Sequence, residues 1–147
     1  MRKRRKAREL CLQQLYALEI ASGNLEKRID AIFAEIGENT DIAAFASSLL
    51  RKTVEYKDEL DREVKELVAN WEFDRIALVD RLIMRMAFCE ICHFKEIPPK
   101  VTINEAIELA KMYSTEKSSK FVNGILDSFY KKLKKEQKIH KVGRGLL

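Results

Sequence analysis

The feature that most constrains this chain is its scarcity of residues that interrupt helices. Its 147 residues include five glycines and two prolines, whereas a β-sandwich or barrel needs a turn signal about every 8–12 residues. Between these breakers, apolar residues recur at the three- and four-residue spacing of amphipathic helices. The sequence therefore predicts an all-α fold.

The same periodicity places about seven helices, near residues 3–22, 25–36, 41–56, 58–71, 75–94, 102–113 and 117–135. We expect Asp74 to cap the fifth helix, and a capping box from Thr102 to Glu105 to open the sixth. The fifth helix is apolar around more than half of its circumference, which predicts a central position. In the seventh, Phe121 is expected in the core, and Gly124 is expected where a neighbouring helix packs closely.

We expect a single domain that spans about residues 1–137 and consists of two packed helical subdomains, near residues 1–57 and 58–137. Residues 138–147 are basic and poor in core residues, so they are expected to form a flexible tail. The fourth helix is expected to bury Leu60, Val64, Leu67, Val68 and Trp71.

Charge is divided unevenly along the chain. Residues 1–8 carry six bases and no acid, and residues 131–147 carry seven bases and one acid. The intervening residues 9–130 hold 15 bases and 22 acids, so an acidic body separates two basic ends. This pattern indicates a polyanionic partner rather than a uniform solubility device.

Three cysteines exclude a fully paired disulfide framework. The sequence shows no secretory signal, and its longest apolar stretch is too short to span a bilayer. We therefore expect a soluble protein of the reducing cytoplasm, with no membrane partner.

The fragment Cys89-x-x-Cys92-His93 suggests a redox or metal site. A zinc site needs a second pair of ligands, and a thioredoxin-type site needs a strand that the sequence does not predict. Packing on a buried helix is the favoured interpretation, so no metal or cofactor is expected. Asp80 and Glu90 form no convincing catalytic pair, so no catalytic residue is assigned. Both are expected on the surface of the helix.

Two groups combine basic and aromatic side chains, as single-stranded nucleic acid requires. The first lies on the first helix, where Tyr16 follows the run Arg2, Lys3, Arg4, Arg5, Lys6 and Arg8. The second surrounds the turn between the sixth and seventh helices and contains Lys111, Tyr113, Lys117, Lys120 and Phe121. Backbone N–H groups at the start of the seventh helix are expected to face an anion. A frayed basic end and aromatic side chains in packing roles are the structural alternatives.

Several segments, in this order, resemble the NusB family of bacterial transcription antitermination factors. They include Ala7-Arg8-Glu9, Gln14-Leu15-Tyr16, the run INEAIELAK that starts at Ile103, and KFVNGIL that starts at Lys120. The resemblance implies an all-helical, non-enzymatic protein that binds the boxA segment of ribosomal RNA transcripts together with NusE, a small-subunit ribosomal protein. Other Nus factors then join the complex to RNA polymerase, which reads through terminators.

The resemblance also implies roles for single residues. It assigns RNA contacts to the basic run of residues 2–8, Tyr16, Lys111, Tyr113, Lys117 and Lys120, and NusE contacts to Asp80, Arg81 and Met84. Ser114 stands where the family usually has a glycine, so the geometry of that turn is left open.

Three other interpretations fit parts of the sequence. The same helical domain also occurs in front of RNA cytosine methyltransferases, but this sequence has no Gly-rich cofactor turn, so methyl transfer is not expected. A helical adaptor whose basic ends bind DNA or a membrane surface would show no RNA sequence preference. A dimeric structural bundle, formed through the face that otherwise meets a partner, also stays open.

Overall fold

A computed structural model describes residues 2–21, 23–37, 40–68 and 73–147, with side chains from Arg4 onward. Within these ranges the chain forms seven α-helices, a short 3₁₀ helix and no β-strand, which confirms the predicted all-α class. The α-helices are α1 Arg2–Ala21, α2 Leu25–Ile36, α3 Asp41–Glu55, α4 Lys57–Leu67, α5 Leu78–His93, α6 Pro99–Tyr113 and α7 Glu116–Lys135, and the 3₁₀ helix is Gly143–Leu146. Trp71, predicted to lie on the fourth helix, is outside the described residues.

The chain divides into two compact units, Met1–Glu55 and Tyr56–Leu147. In the first unit α1 packs on α2 and α3, and α2 also packs on α3. Leu10, Ile32 and Leu49 are fully buried in its core. Gly37 ends α2 at a φ of 88°, a left-handed conformation that glycine adopts without a steric penalty.

In the second unit α5 contacts α4, α6 and α7, and all its residues from Leu82 to Ile91 are buried. The rings of Phe88 on α5 and Phe129 on α7 stack with their centroids 3.7 Å apart. The expected central position of the fifth helix is therefore confirmed within this unit.

Charged side chains on α5 are held by neighbouring helices. Arg85 donates from Nε and Nη2 to the two carboxylate oxygens of Asp61 on α4, at 2.9 and 3.0 Å. The Thr102 hydroxyl on α6 donates to Glu90 Oε1 at 3.0 Å. Two planar hydrogen bonds make an Arg–carboxylate pair both stronger and more directional than a single contact.

Two predicted helix starts are wrong. Asp74 is exposed in a turn, and α5 begins later, with Ala77 at its N-cap. The box at Thr102 does not cap a helix, because α6 already begins at Pro99 and the Thr102 hydroxyl is engaged by Glu90. Proline is favoured in the first helical turn, since its missing N–H would be unpaired there anyway.

Two predictions for α7 are also wrong. Its buried stripe consists of Ser119, Val122, Leu126, Phe129 and Leu133. Phe121 lies beside this stripe and is 38% exposed. A Cβ atom added to Gly124 would meet nothing within 4 Å, so no neighbouring helix requires a glycine there.

The C-terminal segment is docked, which differs from the flexible tail expected from its composition. Lys141 Nζ donates to the backbone carbonyls of Glu90 and Phe94 at 3.2 and 2.8 Å, and Val142 N–H donates to Lys95 O at 3.0 Å. A cation at the carboxyl end of α5 also complements the helix dipole. Burial lowers the pKa of Lys141.

The open surroundings of Gly124 predict that Gly124→Ala stabilises the protein. The gain should be about 0.5–1 kcal/mol, because alanine loses less backbone freedom than glycine in a helix. Urea denaturation followed by circular dichroism measures it. Gly145→Ala is the matched control and should destabilise, since its Cβ would collide with the Lys95 carbonyl. An unchanged or lower free energy of unfolding for Gly124→Ala would contradict the conclusion that a methyl group fits at position 124 without contact.

Candidate nucleic-acid interface

The first candidate surface lies at the start of α1. Arg4, Arg5 and Lys6 are exposed, while Ala7, Leu10 and Cys11 on the same helix are buried in the first unit. The buried residues fix one face of the helix, so the basic side chains are carried on an ordered backbone. Their charges form a cationic end suited to phosphate groups.

Arg8 does not belong to this exposed group. It is only 2% exposed, and its guanidinium carbon lies 5.4 Å from the ring centroid of Phe45 on α3. The Arg4 guanidinium carbon, one helical turn earlier, lies 4.4 Å from the same centroid. The predicted phosphate contact of Arg8 is therefore corrected to a packing role, because its charge is held against an aromatic ring inside the unit.

Tyr16 lies on the same helix and is 40% exposed. Ile20, one turn further along, is exposed as well. An aromatic ring that is partly open to solvent offers a stacking face, which a fully buried tyrosine would not. The contact of Tyr16 with RNA stays a prediction.

The second candidate surface surrounds the turn from α6 to α7 in the second unit. Lys111, Tyr113, Lys117 and Lys120 are all exposed there, as predicted, together with Met112. Only Ser114 and Thr115 separate the two helices, so the end of one and the start of the other are held together. Lys111 also forms an ion pair of 3.8 Å with Glu108 on its own helix.

Phe121 is a further aromatic residue of this surface, and it is absent from the RNA contacts that the sequence predicts. The signal was present in the sequence, since residues 119, 122, 126, 129 and 133 already complete a three- and four-residue stripe. A residue directly beside a complete stripe points towards solvent at the edge of the buried face.

The turn itself is made without a glycine. Ser114 has a φ of −135°, outside the left-handed region that favours glycine, and its N–H donates to Ala110 O at 2.8 Å. Thr115 caps α7, and its Oγ1 accepts from the Ser118 N–H at 3.0 Å. Glu116 adds a carboxylate to the first turn. The expected anion site at this helix start is corrected, because a cap and an acid already occupy the favourable positions.

The residues assigned to NusE occupy different environments. Met84 is completely buried and Asp80 is 4% exposed, which contradicts their expected place on a surface. Arg81 is half-buried, with its guanidinium carbon 5.4 Å from the ring centroid of Phe73. The charge of Asp80 suggests a rim position, but its side chain is buried.

The Cys89-x-x-Cys92-His93 fragment has the features of packing. Cys89 is buried, and the His93 ring stacks on Tyr56 at 4.0 Å between centroids. Desolvation of its thiol, together with the negative charge of Glu63, raises the pKa of Cys92 to about 11. The described residues contain no group of three or more His, Cys, Asp or Glu side chains placed to hold a metal ion. Glu90, expected on the helix surface, is also buried.

In the described part of the chain, no helix has the length and apolar character that crossing a bilayer requires.

An all-α protein that displays lysine, arginine and aromatic side chains at two helix ends belongs to the class of helical nucleic-acid-binding proteins.

Comparison with known proteins narrows this class. The NusB family profile matches residues 5–131. The chain is 42% identical to the transcription antitermination protein NusB of Chloroherpeton thalassium, over 98% of this chain and 69% of that protein. The structure of T. maritima NusB aligns with a TM-score of 0.80 and 36% identity, covering 87% of this chain and 90% of that one.

A crystal structure of antitermination factors NusB and NusE in complex with dsRNA contains a chain that aligns with a TM-score of 0.80 and 28% identity. That match covers 90% of this chain and 98% of the other. The protein therefore belongs to the NusB family, a family of antitermination proteins rather than enzymes.

The raised pKa predicts that Cys92 reacts slowly with iodoacetamide although the residue is exposed. At pH 8 its thiolate fraction should be on the order of a hundredfold below that of an ordinary cysteine, because only the thiolate attacks. The rate should rise with pH until it approaches the pKa of about 11. Mass spectrometry of the alkylated peptide measures it. Glu63→Gln removes a charge that disfavours the thiolate and should speed the reaction. Alkylation as fast as that of an unhindered cysteine peptide would contradict this environment.

Proposed function

We propose that the protein is a transcription antitermination factor that binds boxA RNA of ribosomal RNA transcripts together with NusE. The complex, joined by other Nus factors, helps RNA polymerase to read through terminators. It acts in the bacterial cytoplasm, where nascent transcripts are made. Membership of the NusB family and the likeness to a NusB chain solved with NusE and dsRNA support this function.

The proposal of RNA binding rests on the basic and aromatic side chains that are exposed at the α6–α7 turn. Lys111, Tyr113, Lys117, Lys120 and Phe121 are all exposed within eleven residues of sequence. Lysines supply charge for the phosphates, and aromatic rings supply stacking faces for unpaired bases. A surface built only for solubility would not need two aromatic rings beside its cations.

The start of α1 supplies a second set of phosphate contacts. Arg4, Arg5 and Lys6 are assigned to it on their exposure, and Arg2 and Lys3 on their place in the same basic run. Arginine suits this role because its planar group can pair with phosphate and stack on a base. Tyr16 is assigned a stacking contact. Arg8 acts indirectly, through Phe45, by holding α1 against α3.

NusE is assigned to the amino-terminal part of α5. Of the three residues that the resemblance assigns to NusE, Arg81 is the one that solvent reaches, so it is the direct contact. Asp80 Oδ1 is buried without a hydrogen-bond partner among the described residues. Such an atom is costly to bury, and a basic partner nearby would compensate its charge. Met84 acts only by filling the core beneath them.

Removing the three lysines of the turn should weaken RNA binding and its dependence on salt. For single strands the log–log slope changes by about 0.7 per neutralised phosphate, so Lys111→Ala/Lys117→Ala/Lys120→Ala should flatten it by roughly 2. Fluorescence anisotropy with a boxA oligonucleotide over a range of salt concentrations measures this.

Lys27→Ala, an exposed lysine of α2, is the matched control and should leave the slope unchanged. A duplex of the same sequence should bind more weakly, because its bases cannot stack on Tyr113 or Phe121. An unchanged slope in the triple variant would remove this turn from the RNA site, and stronger binding of the duplex would contradict recognition by base stacking.

Asp80→Asn and Arg81→Ala should each weaken NusE binding and leave binding of isolated RNA intact. The first removes a charge that steers a basic partner, and the second removes the accessible contact. Asn is chosen because Asp80 is buried and a longer cation would disturb packing. Calorimetric titration with NusE and with RNA separately measures both, and Glu35→Gln on the exposed face of α2 is the control. Loss of RNA binding with NusE affinity preserved would show that the two faces are exchanged.

A further inference from the structure

A cleft in the second unit lies where the docked C-terminal segment meets α7 and the loop after α5. Its volume is about 560 Å³. Its walls include Lys95, Tyr130, Lys134, Ile139 and His140, together with apolar residues of the C-terminal segment. Clefts of this size are typical of sites for small organic groups, including a single nucleotide.

The cleft is built by a specific chain reversal. Gln137 follows α7 at a φ of 56°, and Lys138 N–H donates to Leu133 O at 2.9 Å while Gln137 N–H donates to Lys134 O at 3.1 Å. These two bonds form the Schellman motif that ends many helices. The reversal turns the segment back towards α5.

The returning segment is then fixed at two points. Lys141 is anchored on the carbonyls of Glu90 and Phe94, and Gly145 is buried against the Lys95 carbonyl, where no side chain fits. The wall of the cleft is therefore held in place before any ligand arrives.

The lining matches the chemistry of single-stranded RNA. Lys95, Lys134 and His140 are exposed, and Lys134 Nζ lies 5.4 Å from the centroid of the Tyr130 ring. A base that took the place of Lys134 over the Tyr130 ring would hold its phosphate near that ammonium group. Lys131, Lys132 and Lys138 nearby are ion-paired with carboxylates, so Lys95 and Lys134 are the lysines of the cleft that supply charge for a phosphate. An acidic peptide would use the cations but would not need the aromatic ring.

We propose that this cleft binds a nucleotide of single-stranded RNA in addition to the two surfaces described above. The proposal rests on the proposed function, since the RNA is the same transcript. It enlarges the footprint on that transcript: nucleotides beside boxA contact Tyr130, Lys95 and Lys134. The docked segment is then a binding element rather than a basic tail.

The test compares a boxA oligonucleotide with the same RNA lengthened at either end by oligouridine. The wild-type protein should bind one lengthened RNA more tightly than the core RNA. Lys95→Ala/Lys134→Ala, Tyr130→Leu and Gly145→Ala should each reduce that gain by roughly fivefold or more, as expected for a lost stacking or phosphate contact. Lys131→Ala/Lys135→Ala is the matched control, because it removes two exposed lysines of α7 that do not line the cleft.

Each outcome separates this proposal from the proposed function. Equal binding of core and lengthened RNA, an unchanged gain in the cleft variants, or an equal loss in the control would overturn the cleft site and leave boxA binding standing. No binding of the core RNA by the wild type would instead refute the proposed function. An extension of abasic units should give a smaller gain than oligouridine, and an equal gain would exclude stacking on Tyr130.

Discussion

The second unit depends on the burial of the middle of α5, from Leu82 to Ile91. From Leu82 to Ile91 no residue of this helix faces solvent, so its neighbours α4, α6 and α7 must cover every side of it. Burial of this stretch stabilises the unit through its apolar surface but leaves the charges of Arg85 and Glu90 to be compensated. Asp61 on α4 and Thr102 on α6 supply the compensating contacts. The position of α5 is thereby tied to two neighbouring helices by polar bonds as well as by packing.

This constraint explains where the residues proposed to bind RNA appear. Because α6 and α7 both pack their apolar stripes towards α5, their connecting turn is left to carry polar and aromatic side chains. Lys111, Lys117 and Lys120 are exposed because they lie off those stripes. In the first unit the contacts of Arg4 and Arg8 with the Phe45 ring have the same consequence. They fix the direction of α1, so that Arg5 and Lys6 are exposed on an ordered helix.

Much of the fold could be predicted from the sequence because helical stripes and their terminators are local signals. The bounds of α2 follow from its apolar spacing and from the capping residues Asn24 and Gly37. The exposure of the lysines at the α6–α7 turn follows from apolar spacing alone. Burial depends on neighbours, and no local pattern reveals it. The sequence therefore places Asp80 and Met84 on a surface and Phe121 in the core, whereas in the structure the first two are buried and Phe121 is exposed. The docking of the C-terminal segment was missed for the same reason. It depends on distant backbone carbonyls, and on Gln137 in a conformation that favours glycine.

The central claim is that RNA is held by the basic and aromatic side chains of α1 and the α6–α7 turn. Lysine acetylation followed by mass spectrometry, with and without boxA RNA, tests it most directly in the intact protein. Bound RNA should protect Lys6, Lys111, Lys117 and Lys120 and leave Lys27 on α2 as reactive as before. Protection of Lys27, with unchanged reactivity at the α6–α7 turn, would contradict the account.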